Sequence, residues 1–265
     1  LFRSMDRYET LALAQDARGV LNITLNRPDK KNALSGQMIA DLTHIAEVIE
    51  KDKDIRVAVL RGAGDVFCAG GDLGWMRQQI DSDREGRMRE ASKLAHMLRV
   101  LNELRVPLIG VLHGGAFGGG VGMACVCDIA LAEDHTNFGL TETRLGLIPA
   151  TISPYVIARM GEGKARQVFM SARIFSAQDA MALNLIAAHL PKDDLEARVE
   201  AEVTPYLSVA PEAVAASKSL ARLLGPRIDD QVIEETITRL CDTWEGDEAK
   251  EGIDAFLTKR KPRWA

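Results

Sequence analysis

The chain lacks the features that mark membrane-spanning, secreted and disulfide-stabilised proteins. It has no run of about 18 apolar residues, which a transmembrane helix needs. Its first residues, Leu1 to Met5, contain no apolar segment typical of a signal peptide, and we leave Leu1 to Ser4 out of the predicted fold. Four cysteines occur in 265 residues and none forms a CxxC pair, so we expect no disulfides and a cytoplasmic location.

Signals for metal and nucleic-acid binding are also missing. The five histidines form no HxxxH or HExxH pair, so no metal site is predicted. Lys and Arg number 33 against 38 Asp and Glu, which gives a net charge of −5. Because nucleic-acid binding calls for a basic face, neither nucleic acid nor a membrane is an expected partner. An RNA-binding protein without turnover is the weaker alternative for the same reason.

What the chain does have is an order of elements. With 46% hydrophobic residues it can bury a large core. The first part alternates apolar strands with periodic helices: strands are predicted over 20–25, 57–60, 108–112, 128–132 and 137–140, and helices over 38–49, 75–104 and 120–127. After Pro149 the pattern is almost entirely helical, with helices over 195–207, 211–224, 229–244 and 247–260. We predict an α/β core over residues 5–190 and a helical region over 191–265, whose helices pack on a neighbour or a partner subunit.

Two glycine-rich loops follow predicted strands and precede predicted helices. The first runs from Phe67 to Leu73, and the second from His113 to Gly122. Glycine allows a ligand to approach the backbone, and a helix start leaves N–H groups without partners. Two such loops side by side could each offer one N–H to a single oxygen, which is how an oxyanion hole is built. The alternative is that these glycines only permit tight turns and close helix packing.

Other glycine motifs are incomplete. Gly62 to Phe67 lacks the third glycine of a dinucleotide-binding fingerprint, and Gly163-Lys164-Ala165 lacks the hydroxyl residue of a P-loop. His113-Gly114-Gly115 is similar to the oxyanion loop of α/β-hydrolases, but no serine lies in a G-x-S-x-G motif. Dinucleotide binding, P-loop phosphate binding and serine-hydrolase chemistry are therefore not predicted.

A single glutamate stands among apolar and glycine residues. Glu142 lies in the segment from Phe138 to Pro149. A carboxyl group in apolar surroundings has a raised pKa, which suits proton transfer near neutral pH. The alternative is an exposed glutamate paired with Arg144.

Together these segments resemble the crotonase family, the enoyl-CoA hydratases and isomerases. The likeness extends from the Leu25-Asn26-Arg27-Pro28 motif to the segment from Phe256 to Lys261. It implies a ββα-spiral core, a C-terminal helical trimerisation region, a homotrimer or a hexamer built from two trimers, and an acyl-CoA thioester substrate. Coenzyme A would enter as part of that substrate, with no other cofactor.

The resemblance also assigns roles to residues. The N–H groups of Gly71 and Gly119 would form the oxyanion hole, and Glu142 would be the catalytic acid and base. The positions that the resemblance places against CoA are Lys30, Lys31, Ala69, Asp72, Leu73, Phe256 and Lys259.

One position departs from the family pattern. Two-carboxylate hydratases carry a second glutamate where this chain has Gly122. A single carboxylate could still activate water and return its proton in a hydration, so we expect a hydratase. A Δ3,Δ2-enoyl-CoA isomerase that uses Glu142 alone is the alternative.

A finer likeness concerns the substrate. The segments Gly118 to Gly122 and Arg144 to Ile157 look like the branch that acts on methylglutaconyl-CoA or isohexenylglutaconyl-CoA, which are intermediates of leucine or terpene breakdown. An arginine would suit the extra carboxylate of such substrates. The sequence does not choose among the candidates, for each of which a surface role is the alternative: Arg77, Arg84, Arg87 and Arg144.

Overall fold

The computed structural model describes residues 8–265. The predictions for Leu1 to Met5 lie outside this range. The strands are β1 (Leu11–Gln15), β2 (Val20–Leu25), β3 (Val57–Gly62), β4 (Leu108–Leu112), β5 (Gly115–Phe117), β6 (Ile129–Glu133), β7 (Asn137–Gly139), β8 (Ile174–Ser176) and β9 (Ala188–Leu190). The helices are α1 (Gly36–Lys51), α2 (Leu73–Asp81), α3 (Arg84–Glu103), α4 (Gly119–Val126), α5 (Ser153–Met160), α6 (Glu162–Phe169), α7 (Ala177–Ala182), α8 (Lys192–Leu207), α9 (Pro211–Leu224), α10 (Asp230–Glu245) and α11 (Asp247–Leu257). Pro28–Lys30 and Glu142–Leu145 form 3-10 turns.

The strands form two sheets. The larger has the order β1-β2-β3-β4-β6-β9, in which β1 is antiparallel to β2 and every other pair is parallel. The smaller has the order β5-β7-β8. Parallel strands bring their carboxyl ends to one edge, so the loops that leave β3 and β4 lie side by side. These loops are the two glycine-rich segments.

Both faces of the larger sheet are buried. On one face, apolar residues of β2, β3 and β4 join α1 and α3 in the main core. On the other face, Val57, Val59 and Ile109 pack against Leu195 and Val199 of α8. Burial on both faces explains why the central strands are continuous apolar runs. This confirms the predicted α/β fold class.

The structure refines two of the predicted segments. Residues 75–104 are mostly helical, as predicted, but they belong to two helices, because the chain breaks at Ser82 and Asp83 caps α3 by accepting the Gly86 N–H at 2.8 Å. The interpretation of the chain after Pro149 as almost entirely helical misses β8 and β9. Strands of three residues are too short to show a period. The capping box at Ser176 is present.

The C-terminal helices differ in what they pack against. Helix α8 covers the large sheet, while α10 and α11 bury Leu240, Trp244 and Ile253 against α3 and the segment after Glu142. These three helices therefore pack on their own chain. Helix α9 has no buried residue. Packing of the C-terminal helices on another subunit stays a prediction.

Candidate active site

Backbone hydrogen bonds hold the two glycine-rich loops together. Phe67 N–H donates to the His113 carbonyl at 2.9 Å, Cys68 N–H to Gly115 at 3.1 Å, and Phe117 N–H to Cys68 at 3.0 Å. The two loops therefore lie side by side, which is the arrangement that an oxyanion hole built from both of them requires. Their far ends carry Gly71 and Gly119, which both line one cavity of about 300 Å³.

The N–H of Gly71 points away from the neighbouring segment at Leu34 and is unpaired. The Gly70 carbonyl accepts the Leu34 N–H at 2.8 Å. In a trans peptide the carbonyl and the following N–H point in opposite directions, so the Gly71 N–H points away from Leu34. Among residues 8–265 this N–H finds no hydrogen-bond acceptor. It is free to meet a ligand in the cavity.

The N–H of Gly119 is free for a different reason. Gly119 is the first residue of α4, so its N–H has no carbonyl one turn earlier to bond. The preceding Gly118 carbonyl accepts the Gly122 N–H at 3.1 Å, which directs the Gly119 N–H outward from the helix start. Gly118 itself has φ +49°, a conformation that a side chain would strain.

The carboxyl group of Glu142 lies in the same cavity. A Cβ on Gly118 would come within 2.8 Å of Glu142 Oε1, so the absence of a side chain at Gly118 makes room for this carboxylate. Although the Glu142 residue is half-buried, its Oε2 is fully buried and accepts no hydrogen bond from any described residue. Burial raises the pKa of Glu142 to about 7, and its own backbone N–H opposes this only in part. Glu142 is not paired with Arg144, as the alternative interpretation had it.

The position of the missing second carboxylate is filled by an apolar side chain. A Cβ on Gly122 would lie 2.3 Å from Ile152 Cγ2. Ile152 is 2% exposed and lines the cavity. The cavity therefore has a carboxylate on one wall and an isoleucine beside Gly122, the position that the family resemblance assigns to a second acid.

The predicted CoA-binding positions fall into two sets. Ala69, Leu73 and Phe256 line the cavity, and Leu73 and Phe256 are about half exposed. The remaining positions, which do not line it, are Lys30, Lys31, Asp72 and Lys259. The carboxylate of Asp72 is engaged with Arg27 and with the start of α2, so it is turned toward protein rather than ligand. The other three side chains are exposed.

The four candidate arginines are separated by the structure. Arg84 pairs with Asp242 and Glu245, and Arg87 donates to backbone carbonyls of α2. Arg77 is exposed and does not line the cavity. Arg144 lines the cavity, and its guanidinium makes no hydrogen bond or ion pair within the described chain.

Sequence reasoning missed part of the cavity wall. Trp75 of α2, with its indole N–H on Glu90, and Leu240 and Trp244 of α10 also line the site. The spacing of Leu240 and Trp244 showed only that they share a helix face. Nothing in the sequence placed that face against the cavity, about 100 residues along the chain from Glu142.

Comparison with known proteins agrees with this geometry. The family model described as enoyl-CoA hydratase/isomerase matches residues 15–265. The chain belongs to the enoyl-CoA hydratase/isomerase family. Among its relatives, the enoyl-CoA hydratase AFT6-1 of Alternaria alternata is 32% identical over 261 residues, which cover 97% of this chain and 84% of the relative.

Solved structures of the family share the fold. An enoyl-CoA hydratase from Shewanella pealeana is 35% identical, covers 97% of both chains and superposes with a TM-score of 0.80. An enoyl-CoA hydratase from Mycobacterium avium is 31% identical, with 98% and 100% coverage and a TM-score of 0.84. The protein is thus an enzyme of this crotonase family, for which an acyl-CoA thioester is the matching substrate class. No helix within residues 8–265 has the length and apolar character to span a bilayer.

Proposed function

We propose that the protein hydrates an α,β-unsaturated acyl-CoA thioester with Glu142 as its single acid and base. Ionised Glu142 accepts a proton from water, and the water oxygen forms a bond to C3. The electron pair of the double bond moves onto the thioester carbonyl oxygen, which the N–H groups of Gly71 and Gly119 stabilise as an enolate. Glu142 then gives its proton to C2. CoA enters as part of the substrate, and the scheme uses no other cofactor.

The observation that supports this proposal is the buried, unpartnered Oε2 of Glu142 in a cavity that also holds two unpaired N–H groups. A carboxylate with a pKa of about 7 is populated in both protonation states at neutral pH. It can therefore accept and return a proton within one cycle.

The same lone carboxylate favours a second candidate. In a Δ3,Δ2-enoyl-CoA isomerase, Glu142 would remove a proton from C2 of a 3-enoyl thioester and return it to C4. The intermediate between the two steps would be a dienolate, whose thioester oxygen the same two N–H groups would stabilise. Ile152 beside Gly122 supports this alternative because it leaves no second acid to help activate water.

Incubation of enoyl-CoA substrates in heavy-oxygen water separates the two activities. A hydratase places the label in the acyl product, whereas an isomerase leaves the acyl mass unchanged. With crotonyl-CoA and 3-methylglutaconyl-CoA we expect incorporation of the label. If a 3-enoyl-CoA is instead converted to the 2-enoyl-CoA without uptake of the label, the enzyme is an isomerase.

Replacement of Glu142 tests its role. We expect Glu142→Gln to lower kcat about a thousandfold, since general acid–base catalysis contributes factors of about 10² to 10⁴. Glu212→Gln on the exposed face of α9 is the matched control and should leave kcat unchanged. Full activity in Glu142→Gln would overturn the assignment.

We further propose that the acyl group of the substrate carries a free carboxylate in addition to its thioester, as that of methylglutaconyl-CoA does. The support is that Arg144, an exposed residue, lines the cavity and that its guanidinium has no partner within the described chain, so it could form a charged hydrogen bond to a substrate carboxylate. Arg144→Leu should lower kcat/KM for 3-methylglutaconyl-CoA about 10- to 100-fold and leave crotonyl-CoA nearly unaffected. Arg77→Leu is the control. Equal losses on both substrates would contradict this choice of acyl group.

We also propose a homotrimer, or a hexamer of two trimers. The support is the end of α9, where Leu220, Leu223 and Leu224 are 55%, 78% and 77% exposed. Light scattering coupled to size exclusion gives the oligomeric state, and Leu223→Lys should shift it toward monomer. A monomeric wild type would overturn the proposal. A cytoplasmic location stays a prediction.

A further inference from the structure

One guanidinium joins the turn after β2 to the loop that carries Gly71. Arg27 Nη1 donates to Asp72 Oδ2 at 3.0 Å and to the Ala33 carbonyl at 2.9 Å. Ala33 comes directly before Leu34, and Asp72 comes directly after Gly71. Arg27 therefore bonds to both of the segments that meet at Leu34 and Gly71, the contact that positions the Gly71 peptide.

That contact depends on the backbone of Leu34. Its N–H donates to the Gly70 carbonyl at 2.8 Å, and its carbonyl accepts the Asp72 N–H at 3.0 Å. These two bonds fix the peptide planes on either side of Gly71. They form an isolated bridge rather than part of a sheet. One more backbone bond, from the Ala69 N–H to the Lys31 carbonyl at 3.0 Å, joins the same two segments before Gly70. On the other side of Gly71, at Asp72, the Arg27 side chain joins them.

The partner of Arg27 is itself held in place. Asp72 Oδ1 accepts the N–H groups of Gly74 and Trp75 at the start of α2, at 2.8 and 3.3 Å. The Arg27 and Asp72 side chains are 21% and 15% exposed. Burial alone would raise the pKa of Asp72, but the bonds from Arg27 and α2 outweigh it and lower that pKa. Asp72 is therefore held in its ionised form at neutral pH.

We propose that Arg27 is a positioning residue for the reaction: through Asp72 and Ala33 it fixes the direction of the Gly71 N–H that stabilises the enolate. This inference rests on the proposed function. Its consequence is a specific kinetic pattern. Loss of Arg27 should reduce stabilisation of the transition state, and so kcat, more than it weakens the binding of CoA.

Kinetics of Arg27→Met, Arg27→Lys and Asp72→Asn with crotonyl-CoA test the proposal. The matched control is Arg61→Met, which removes an arginine of similar exposure that pairs with Glu196, and neither of these residues lines the cavity. We expect Arg27→Met to lower kcat about 10- to 100-fold with KM changed less than about threefold, since misplacement of a catalytic group by about 1 Å has effects of this size. Asp72→Asn can still cap α2 and should lose less, and Arg27→Lys should recover part of kcat. If Arg27→Met fails to fold, these two variants carry the test.

A second readout does not need turnover. A conjugated aryl-enoyl-CoA absorbs at longer wavelength when its thioester carbonyl accepts strong hydrogen bonds. The wild type should shift this absorption, Arg61→Met should shift it equally, and Arg27→Met should shift it less. A wild type that neither shifts the probe nor turns over enoyl-CoA overturns the proposed function and this inference with it. If Arg27→Met shifts the probe and turns over substrate as the wild type does, or if only its KM rises, then only the proposed role of Arg27 is overturned.

Discussion

The two walls of the cavity differ in how they use a missing side chain. At Gly118 the lack of a Cβ makes room for the Glu142 carboxylate, 2.8 Å from where that Cβ would lie. At Gly122, one helical turn later, the lack of a Cβ makes room for Ile152, at 2.3 Å. The first glycine thus admits a buried acid, and the second excludes one. Glycines four residues apart in one helix start decide that this site has a single carboxylate.

The largest expected effect comes from adding the second carboxylate. Gly122→Glu should lower the free energy of unfolding by about 4 kcal/mol, because the new side chain collides with Ile152 and buries a polar group in an apolar wall. Urea unfolding at constant m-value measures the loss. A variant as stable as the wild type would show that Ile152 leaves room for a side chain at residue 122, which would contradict the difference between Gly118 and Gly122.

A double variant shows whether Ile152 is the cause. Gly122→Glu combined with Ile152→Ala should be at least about 1 kcal/mol more stable than the sum of the single losses, because the two changes share one space. Gly122→Glu with Ile45→Ala is the control, since Ile45 is fully buried in α1, which does not contact Gly122, and its effect should simply add. Additivity in both pairs would contradict the role of Ile152.

A smaller effect follows from the buried carboxyl of Glu142. Its pKa is raised from 4.5 to about 7 in the folded protein, so the folded state binds this proton more tightly than the unfolded state does. The wild type should therefore lose stability, on the order of 3 kcal/mol, as pH rises from about 4.5 through 7. Glu142→Gln, which cannot ionise, should gain on the wild type between pH 5 and pH 8 in unfolding experiments. The same difference at both pH values would show that Glu142 is solvated.

Activity should change over the same pH range in the opposite sense. In the proposed hydration the free enzyme needs ionised Glu142 as base, so kcat/KM should fall as pH drops through about 7. The pH profile of crotonyl-CoA hydration measures this. A profile that is flat between pH 5 and pH 8 would argue against a base with a raised pKa.

The smallest expected effect comes from shortening one branch of the Ile152 side chain, the branch that ends in Cδ1, while the Cγ2 branch is kept. Ile152→Val removes only the terminal Cδ1 methyl and should cost about 1 kcal/mol. It keeps Cγ2, the atom that a Cβ on residue 122 would meet, so it should not relieve Gly122→Glu as Ile152→Ala does. Relief by Ile152→Val would place the collision elsewhere on the side chain.

The regular part of the fold was predictable because its signals are local. The apolar runs of β3 and β4 reflect burial on both faces, and Pro211 to Leu224 is a helix with the predicted bounds. The break before α3 was not predicted, since the helical period continues across Ser82 and the Asp83 cap competes with it only weakly. Strands β8 and β9 need partners 35 or more residues away to be recognised.

The site divides along the same line. Glu142 and the glycines of both loops stood out because glycine and an acid among apolar residues are unusual in themselves. Arg27 stood out only as part of a motif, and its contacts could not be foreseen, since its two acceptors belong to a turn and to a loop that lies 45 residues on. The role of Ile152 could not be seen either, because an isoleucine before a helix is ordinary until its neighbour is known.

The amino-acid sequence by itself determined the longer strands and helices, the two glycine loops and a single carboxylate among apolar and glycine residues. These depend on side-chain periodicity and on backbone freedom, which act over a few residues. The tertiary structure alone decided which N–H groups stay unpaired, which wall Ile152 fills and which of the arginines reaches the cavity. Those outcomes depend on contacts between segments far apart in the chain, and burial and hydrogen bonding are properties of such contacts rather than of any one residue.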